Sequence, residues 1–236
     1  MNLSTDSRCP ICGGSGFDEH NVLWPELIEA WELSPEEAAY INRQQGASCR
    51  QCRGNIRSAA LAKALCAFLG HDGPLDQLLS RPPSHAPNAR ILEVNEAGTL
   101  HPRLEKFLRH RYVEFPECDL MSMPFADQSF DLVVHSDVLE HIESPLQALQ
   151  ESKRILRPGG ATIFTAPIVV GRLSRSRRGL APSYHGGPDT NRNDFIVHSE
   201  FGADIWCLVM AAGFDQCRLT AYQYPSGIAV TAIKSG

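Results

Sequence analysis

Hydrophobic and polar positions follow two different periods along the chain. Short apolar runs at 90–94, 130–135 and 161–166 contain β-branched and aromatic residues, and each run predicts a buried strand. The segment 144–156 instead begins with a capping box, and its apolar residues recur at helical spacing up to Pro158. Strands that alternate with helices in this way predict a doubly wound α/β fold with a mostly parallel sheet.

Two further helices and a hairpin are predicted outside this central alternation. Residues 102–109 predict the helix that follows the first strand, and residues 200–212 predict an amphipathic helix near the C-terminus. Apolar strands follow at 216–222 and 228–233, separated by a Tyr-Pro-Ser-Gly turn. They are close enough in sequence to pair as an antiparallel hairpin at the edge of the sheet.

The N-terminal part is predicted to form a small unit of its own. Ser34 starts a capping box, so a helix is expected from 35 to 44, and helical spacing over 55–69 predicts a second helix. Residues 71–89 contain four prolines and predict a linker. The predicted organisation is a helical unit at 1–70, a linker at 71–89 and an α/β domain at 90–236.

Composition narrows the classes of function. The net charge of −5 disfavours a broad phosphate-binding surface, and therefore disfavours nucleic acid as a partner. No apolar run approaches the roughly 20 residues of a membrane span, and the N-terminus lacks the apolar core of a signal peptide. We therefore expect a cytoplasmic protein, whose oligomeric state the sequence does not indicate.

Four of the eight cysteines form two CxxC pairs, Cys9 with Cys12 and Cys49 with Cys52. Glycine follows each pair within two residues, as in zinc knuckles whose backbone amides fold back onto the sulfurs. Four thiolates around Zn²⁺ form a closed structural site, and metal binding stabilises a unit too small to bury a large core. The spacing predicts structural zinc, with iron as the alternative.

Two stretches of the chain carry a family resemblance. Residues 119–142 read DLMSMPFADQSFDLVVHSDVLEHI, and residues 154–160 read RILRPGG. Both closely resemble the small-molecule class I S-adenosylmethionine-dependent methyltransferases, whose usual wording there is D-x-x-x-L-P-F-x-D-x-S-F-D, L-E-H and L-K-P-G-G. The resemblance implies a Rossmann-like methyltransferase fold with S-adenosylmethionine as cofactor, here with an N-terminal four-cysteine zinc-binding extension.

The resemblance also implies which residues hold the cofactor at the carboxyl ends of the strands. Glu93 would orient the loop after the first strand and the methionine amino group. Glu114 is the candidate for the carboxylate that binds the ribose hydroxyls, with Glu117 as the alternative, and a solvated loop charge is the other interpretation of either residue. The remaining implied contacts are Asp119 and Met123 at the adenine, and His135 and Ser136 after the strand that faces the cofactor.

The loop after the first strand departs from the family pattern. Where the family has a G-x-G-x-G loop, this chain has Asn95, Ala97 and Thr99. The backbone is less free there, although asparagine tolerates left-handed geometry. S-adenosylmethionine carries no phosphate, so its loop needs less glycine than a dinucleotide site. Asn95 and Ala97 therefore stay candidates for cofactor binding.

A cluster of arginines marks the expected substrate loop at 171–193. A pocket under four cations predicts an anionic substrate, such as a nucleotide-linked or phosphorylated sugar, and a solvated loop is the alternative. The four residues are Arg172, Arg175, Arg177 and Arg178.

The predicted activity is methylation of a hydroxyl or amine on a small, anionic or sugar-linked biosynthetic intermediate. Methyl transfer from a sulfonium needs in-line positioning, and a base only where the acceptor loses a proton. His185 and His198 are the candidate bases, whereas Glu140 and His141 are expected to shape the next helix, with catalysis as the alternative. Two other functions stay open: an RNA methyltransferase with an N-terminal zinc finger, and a non-catalytic binding protein on the same fold.

Overall fold

The structure, a computed structural model, describes residues 8–84, 86–184 and 195–236. In these ranges the helices are α1 Pro25–Ala30, α2 Pro35–Gly46, α3 Ile56–Phe68, α4 Leu75–Ser80, α5 His101–Leu104, α6 Pro145–Ile155 and α7 Ile205–Ala211. The strands are β1 Phe17–Glu19, β2 Ala47–Cys49, β3 Arg90–Val94, β4 Arg109–Val113, β5 Phe130–Ser136, β6 Leu156–Thr165, β7 Ile168–Val169, β8 Arg175–Ser176, β9 Ser199–Gly202, β10 Gln216–Tyr222 and β11 Gly227–Ile233. Short 3₁₀ turns lie at Ala86–Asn88, Gly98–Leu100 and Leu139–His141.

The predicted mostly parallel sheet and its antiparallel C-terminal hairpin are confirmed. Among the described residues, six strands form the main sheet in the order β10-β11-β6-β5-β3-β4. β4, β3, β5 and β6 run parallel to one another, whereas β11 pairs antiparallel with both β6 and β10. The chain therefore has a Rossmann-like doubly wound α/β fold, and the carboxyl ends of four parallel strands meet at one edge.

Both faces of the sheet are covered because apolar residues of a strand point alternately to opposite sides. On β5, Leu132 and Val134 face the cluster that contains α3, whereas Val133 faces the cluster that contains α6 and α7. The sheet thus separates two hydrophobic cores, as the near-continuous apolar strands predict.

Helix α3 packs directly on the sheet. Its apolar residues are spread around the helix and ten of its thirteen residues are buried, which is the pattern of an enclosed helix. It contacts β11, β10 and β6, and it shares one hydrophobic cluster with Cys9 and Cys49. No described helix, α3 included, combines the length and apolar character needed to cross a membrane.

The predicted boundary after residue 70 stays a prediction, but the described residues show how the two parts are joined. The predicted linker contains α4, in which Leu75 and Leu78 are fully buried. The backbone amides of Leu75 and Asp76 donate to the carbonyls of Pro10 and Ile11, each at 2.9 Å. The first cysteine loop therefore hydrogen-bonds to the amino end of α4.

Two predicted helix boundaries are wrong because strand pairing takes precedence over helical periodicity. The helix predicted at 102–109 ends at Leu104, since Arg109–Val113 pairs with β3 as a parallel strand. The helix predicted at 200–212 begins only at Ile205, since Ser199–Gly202 pairs with β7 and β8. The strand predicted at 161–166 begins earlier, at Leu156, which already pairs with Phe130.

Candidate functional site

The four cysteines of the CxxC pairs converge on one point. All four sulfurs lie within 4.8 Å of one another, and the Sγ–Sγ distances of Cys9 to Cys52 and of Cys12 to Cys49 are both 3.7 Å. A tetrahedron of sulfurs with Zn–S bonds of about 2.3 Å has edges of about 3.8 Å. A disulfide is excluded at this separation, because its S–S bond is about 2.05 Å. The four sulfurs therefore fit a tetrahedral metal ion.

The two cysteine loops repeat the same backbone hydrogen bond. In each loop the amide of the first cysteine donates to the carbonyl five residues later, Cys9 to Gly14 and Cys49 to Gly54, at 2.8 Å in both. The amide of Gly14 also donates to Sγ of Cys12 at 3.4 Å. Amides that point at sulfur stabilise a thiolate, so both loops have the form expected of zinc knuckles.

Protonation of the cysteines competes with a metal ion at this cluster. Burial raises the pKa of Cys52 to about 11 and raises that of Cys9 further, so both are thiols near neutral pH when no cation is close. A bound divalent cation reverses this, because metal ligation requires the thiolate form. Metal binding at this cluster would therefore release protons and weaken as pH falls.

At the carboxyl end of β3, Glu93 organises the following loop. Its carboxylate is fully buried, and Oε1 accepts the amide of Ala97 at 2.9 Å. Oε2 lies 2.9 Å from Nδ1 of His101 and 2.7 Å from Nε2 of His110. One buried carboxylate thus joins the loop to two imidazoles, and the sequence analysis did not identify either histidine.

Asn95 takes the left-handed backbone that the family gives to glycine. Its φ is 51°, and its side-chain Oδ1 accepts the amide of Phe115 at 3.1 Å. Gly98 is also left-handed, with φ 57°, and a Cβ there would lie 2.6 Å from Oγ of Ser58. The loop keeps a compact turn with one asparagine and one glycine, because asparagine is the non-glycine residue best suited to positive φ.

A cavity of about 320 Å³ lies at the carboxyl end of β4. Glu114, the residue after β4, is exposed there and accepts the hydroxyl of Tyr112 at 2.7 Å. Phe125 forms an apolar wall, and the guanidinium of Arg111 lies 4.5 Å from its ring centre. Glu117 lines the same cavity. Both candidate carboxylates for the ribose therefore border this space.

The other residues that the family resemblance implies for cofactor binding are less exposed than Glu114. Met123 is almost fully buried, and Asp119 accepts the amide of Met121 at 2.8 Å through Oδ1. Ser136 shares a 2.8 Å hydrogen bond with Thr165. His135 is fully buried and stacks on Phe164, with ring centres 5.1 Å apart and planes 12° apart. Burial lowers the pKa of His135 to about 3, so this ring is a neutral core residue.

A second cavity, of about 250 Å³, opens beyond the carboxyl ends of β5 and β6. Asp137 follows β5 and Pro167 follows β6, and both line it together with Arg57, Gln45 and His141. Its apolar wall comes from the region of α1 and α2 and from one later residue: Trp24, Leu27, Trp31, Leu33, Ile41 and Phe195. No sequence motif marks this wall, because it is assembled from the N-terminal helices by tertiary packing.

The carboxyl edge thus presents, in sheet order, a cavity at β4, an ordered loop at β3 and a cavity at β5 and β6. Residues 83–164 match the family described as methyltransferase domain. The match includes β3, β4, β5 and most of β6, which are the strands that build this edge.

Relatives of known name agree with this domain assignment. The chain is 31% identical over 124 residues to a protein of Mycolicibacterium smegmatis named as a probable S-adenosylmethionine-dependent methyltransferase, covering 52% of this chain and 42% of that protein. It is 36% identical over 98 residues to an uncharacterised methyltransferase of Mycobacterium tuberculosis, covering 39% and 38%. The matched part thus spans about two fifths of the length of these relatives.

Solved structures with a similar fold include two S-adenosylmethionine-dependent methyltransferases. One, from Aquifex aeolicus, has a TM-score of 0.42 at 11% identity and covers 75% of this chain and 97% of its own. Another, from Mesorhizobium loti, has a TM-score of 0.39 at 15% identity and covers 68% and 100%. At these TM-scores the likeness carries no functional argument.

The two candidate bases differ in whether the structure describes them. His185 lies outside the described residues. The amide of His198 donates to the carbonyl of Glu140 at 2.7 Å, but His198 does not line either cavity of the described edge. His141 does line the cavity at β5 and β6, and its Nδ1 lies 2.9 Å from the carbonyl oxygen of Ile196. Of the histidines considered, His141 is therefore the one beside the open space.

The predicted arginine cluster is largely occupied by acidic partners in the described structure. Arg172 donates to both carboxylate oxygens of Glu37 at 2.8 and 2.7 Å. Arg175 and Arg177 both bond to the buried carboxylate of Glu200. These arginines hold the segment after β6 against α2 and β9. They therefore have a structural role, which the sequence pattern did not show.

Proposed function

We propose that this protein transfers the methyl group of S-adenosylmethionine to a hydroxyl or amine of a small molecule. The observation that carries the proposal is the position of the Glu93-ordered loop between two cavities along one edge of the methyltransferase domain. Ligands of open α/β sheets bind beyond the carboxyl ends of the strands. A cofactor that crosses β3 would have its nucleoside end in the cavity at β4. Its methyl-bearing sulfur would then lie beside the cavity at β5 and β6.

The residues at β4 fit the nucleoside part of the cofactor. Glu114 offers an exposed carboxylate, which suits the two ribose hydroxyls, and Phe125 offers an apolar face for the adenine. We assign Asp119 and Met123 to the adenine and Asn95, Ala97 and Ser136 to the methionine end, as the family resemblance implies. When bound, the cofactor supplies a methyl group on a positively charged sulfur, and the residues named here orient it.

His135 is the weakest of the implied cofactor contacts. Neither of its ring nitrogens has a hydrogen-bond partner among the described residues, and no part of the side chain is exposed. Its stacking on Phe164 supports a role as a spacer beneath the edge. We therefore keep its contact to the cofactor as a prediction only.

We propose a structural zinc ion at Cys9, Cys12, Cys49 and Cys52. The sulfur spacing and the two repeated loops support it, and the cluster belongs to the core that contains α3. A four-thiolate site leaves no open coordination position for substrate. The ion would therefore stabilise the fold and take no part in methyl transfer. Iron in the same tetrahedron is the alternative. Metal analysis of the purified protein distinguishes zinc from iron.

Titration calorimetry with S-adenosylhomocysteine, the product form of the cofactor, tests the proposed function. We expect binding to the zinc-loaded protein. Glu114→Gln should weaken it about 10- to 150-fold, since a lost charged hydrogen bond costs about 1.5–3 kcal/mol. Glu117→Gln is the matched variant in the same cavity and should leave the affinity nearly unchanged. If only Glu117→Gln weakens binding, the ribose assignment is wrong.

The same titration separates the competing functions. A folded, zinc-loaded protein that shows no heat at high micromolar ligand is a non-catalytic member of this fold, and the methyl-transfer proposal fails. An RNA acceptor would show as methylation of total RNA by labelled S-adenosylmethionine. The net charge of −5 disfavours that result.

A further inference from the structure

The cavity at β5 and β6 is lined mainly by aromatic and aliphatic side chains. Trp24, Trp31 and Phe195 line it together with leucine and isoleucine side chains, so an occupant meets ring faces and methyl groups along most of its surface. Aromatic walls favour aromatic occupants, because offset or edge-on ring pairs add to the free energy of apolar burial. A volume of about 250 Å³ suits a small ring compound.

At the polar end of this cavity, the carboxylate of Asp137 neutralises the positive charge of Arg57. Arg57 is only 4% exposed and forms an ion pair with Asp137. The other carboxylate oxygen of Asp137 accepts Nε2 of Gln45 at 3.3 Å, and Arg57 also donates to Gln44 at 2.9 Å. A phosphate or carboxylate would have to displace Asp137 from a buried arginine, which is costly. The cavity therefore favours a neutral occupant over an anionic one.

His141 faces this cavity from the 3₁₀ turn after β5. Its Nδ1 lies 2.9 Å from the carbonyl oxygen of Ile196, and a carbonyl oxygen only accepts hydrogen bonds. The neutral ring therefore carries its proton on Nδ1, so Nε2 is its basic nitrogen, and this atom lies 3.9 Å from Oε1 of the buried Glu140 carboxylate. A backbone contact thus selects the tautomer that a general base requires.

We propose that this cavity binds a neutral aromatic compound with a hydroxyl group, and that His141 accepts the hydroxyl proton during methyl transfer. The inference rests on the proposed methyl-transfer function and names its acceptor class. The acceptor O–H bond breaks and its proton goes to Nε2 of His141, while the oxygen forms a bond to the methyl carbon. The S–CH₃ bond of the sulfonium breaks, and its electron pair stays on sulfur as the neutral thioether.

The first test measures binding in the cavity with 4-nitrophenol as the probe. The protein is saturated with S-adenosylhomocysteine, and the pH is one at which the free probe is mostly un-ionised. We expect 4-nitrophenol to bind at least about tenfold more tightly than 4-nitrophenyl phosphate or 4-nitrobenzylamine, as burial of an unpaired charge predicts. Tighter binding of the phosphate, or absence of binding by all three compounds, overturns the proposal.

Two variants locate the probe. Leu27→Trp enlarges a side chain of the cavity wall, whereas Leu219→Trp makes the same change on exposed β10. We expect Leu27→Trp to weaken probe binding at least about tenfold and to keep the nucleoside affinity and the zinc content, since small-to-large changes fill space. Equal effects of both variants place the probe elsewhere and contradict the inference. The wild-type competition stands by itself if Leu27→Trp does not fold.

The second test measures proton loss from the bound 4-nitrophenol in the absence of methyl transfer. The phenolate form of 4-nitrophenol absorbs at longer wavelength than the phenol, so the spectrum of the bound probe reports its ionisation. We expect the wild type to raise the phenolate fraction of the bound probe, and His141→Gln to remove this increase while binding changes by less than about threefold. If His198→Gln removes it and His141→Gln does not, His198 is the base and the assignment is wrong.

The outcomes also distinguish this inference from the proposed function. If S-adenosylhomocysteine does not bind the wild type, the methyl-transfer function itself fails. If the nucleoside binds normally and 4-nitrophenol does not, only the acceptor class and the role of His141 fail.

Discussion

Nδ1 of His101 lies 2.9 Å from Oε2 of Glu93, whose other oxygen accepts the amide of Ala97. This contact joins the short helix α5 to the loop that replaces the family's glycine-rich turn. Glu93 is fully buried, so its charge depends on these donors for compensation. The order of the loop therefore depends on side chains that come after it in the chain.

We predict that Glu93→Gln destabilises the fold and weakens cofactor binding together. The amide has one acceptor oxygen in place of two, so either the Ala97 amide or an imidazole loses its partner. Leaving a buried donor unsatisfied costs about 1–3 kcal/mol. Urea unfolding should show this loss, and S-adenosylhomocysteine affinity should fall by about tenfold or more. The matched variant Glu96→Gln alters an exposed carboxylate and should leave both unchanged.

The Glu93–His101 contact predicts a pH dependence of stability. Hydrogen bonding to Glu93 raises the pKa of His101 above its ordinary value of 6.5. A raised folded-state pKa contributes stability that is fully present below the unfolded pKa and is lost as pH rises through the folded pKa. The free energy of unfolding should therefore decrease as pH rises above about 6.5, and His101→Gln should remove that part of the slope. An unchanged slope in the variant would show that another group is responsible.

Loss of the metal is predicted to unfold more than the N-terminal unit. Cys9 and Cys49 belong to the same core as α3, which packs on the sheet. Structural zinc contributes many kcal/mol, so Cys49→Ser should lower Tm by at least about 10 °C for a chain of this size. Cys207→Ser changes an exposed cysteine of α7 and serves as the control. Wild-type metal content and Tm in Cys49→Ser would contradict the metal site.

The contact of Arg172 with Glu37 predicts a second, acidic pH effect. Hydrogen bonding to Arg172 lowers the pKa of Glu37 to about 2. A depressed folded-state pKa contributes stability that is present above the unfolded pKa and lost as pH falls, here from about 4.5 toward 2. Arg172→Ala should reduce stability at neutral pH by about 1–3 kcal/mol and flatten this acid slope.

Arg178→Ala is the matched control for that experiment. Its side chain is exposed and comes from the same arginine-rich segment. If the two variants have equal effects on the acid slope, the Glu37 contact does not stabilise α2. If only Arg172→Ala loses stability, then Arg172 has a structural role: it holds α2, which contributes to the wall of the cavity at β5 and β6.

Local rules explain why part of the site could be predicted from the sequence. The capping box at Ser34 forms as its spacing requires, and α2 begins at Pro35. Asn95 adopts the left-handed conformation that its side chain tolerates better than most. The two CxxC spacings oblige each pair of sulfurs to lie close together. In each case the deciding contacts lie within a few residues along the chain.

Contacts between distant residues could not be predicted in the same way. Arg57 pairs with Asp137, and Trp31 of the N-terminal region lines a cavity with Pro167 of the sheet edge. The arginine-rich segment by itself predicts either an anionic substrate or a solvated loop, because its carboxylate partners, Glu37 and Glu200, are remote or lie in a strand predicted to be helix. Such pairings depend on how elements pack, which periodicity does not contain.

By itself, the sequence determined the parallel sheet, the antiparallel hairpin, the convergence of each CxxC pair and the resemblance to methyltransferases. These follow from periodicity, turn chemistry and motifs, all of which operate over short distances in the chain. Only the tertiary structure decided that His101 and His110 hold Glu93 and that α1 and α2 cover a cavity beside His141. The physical reason is that burial and charge pairing are properties of the packed chain, in which residues far apart in sequence become neighbours.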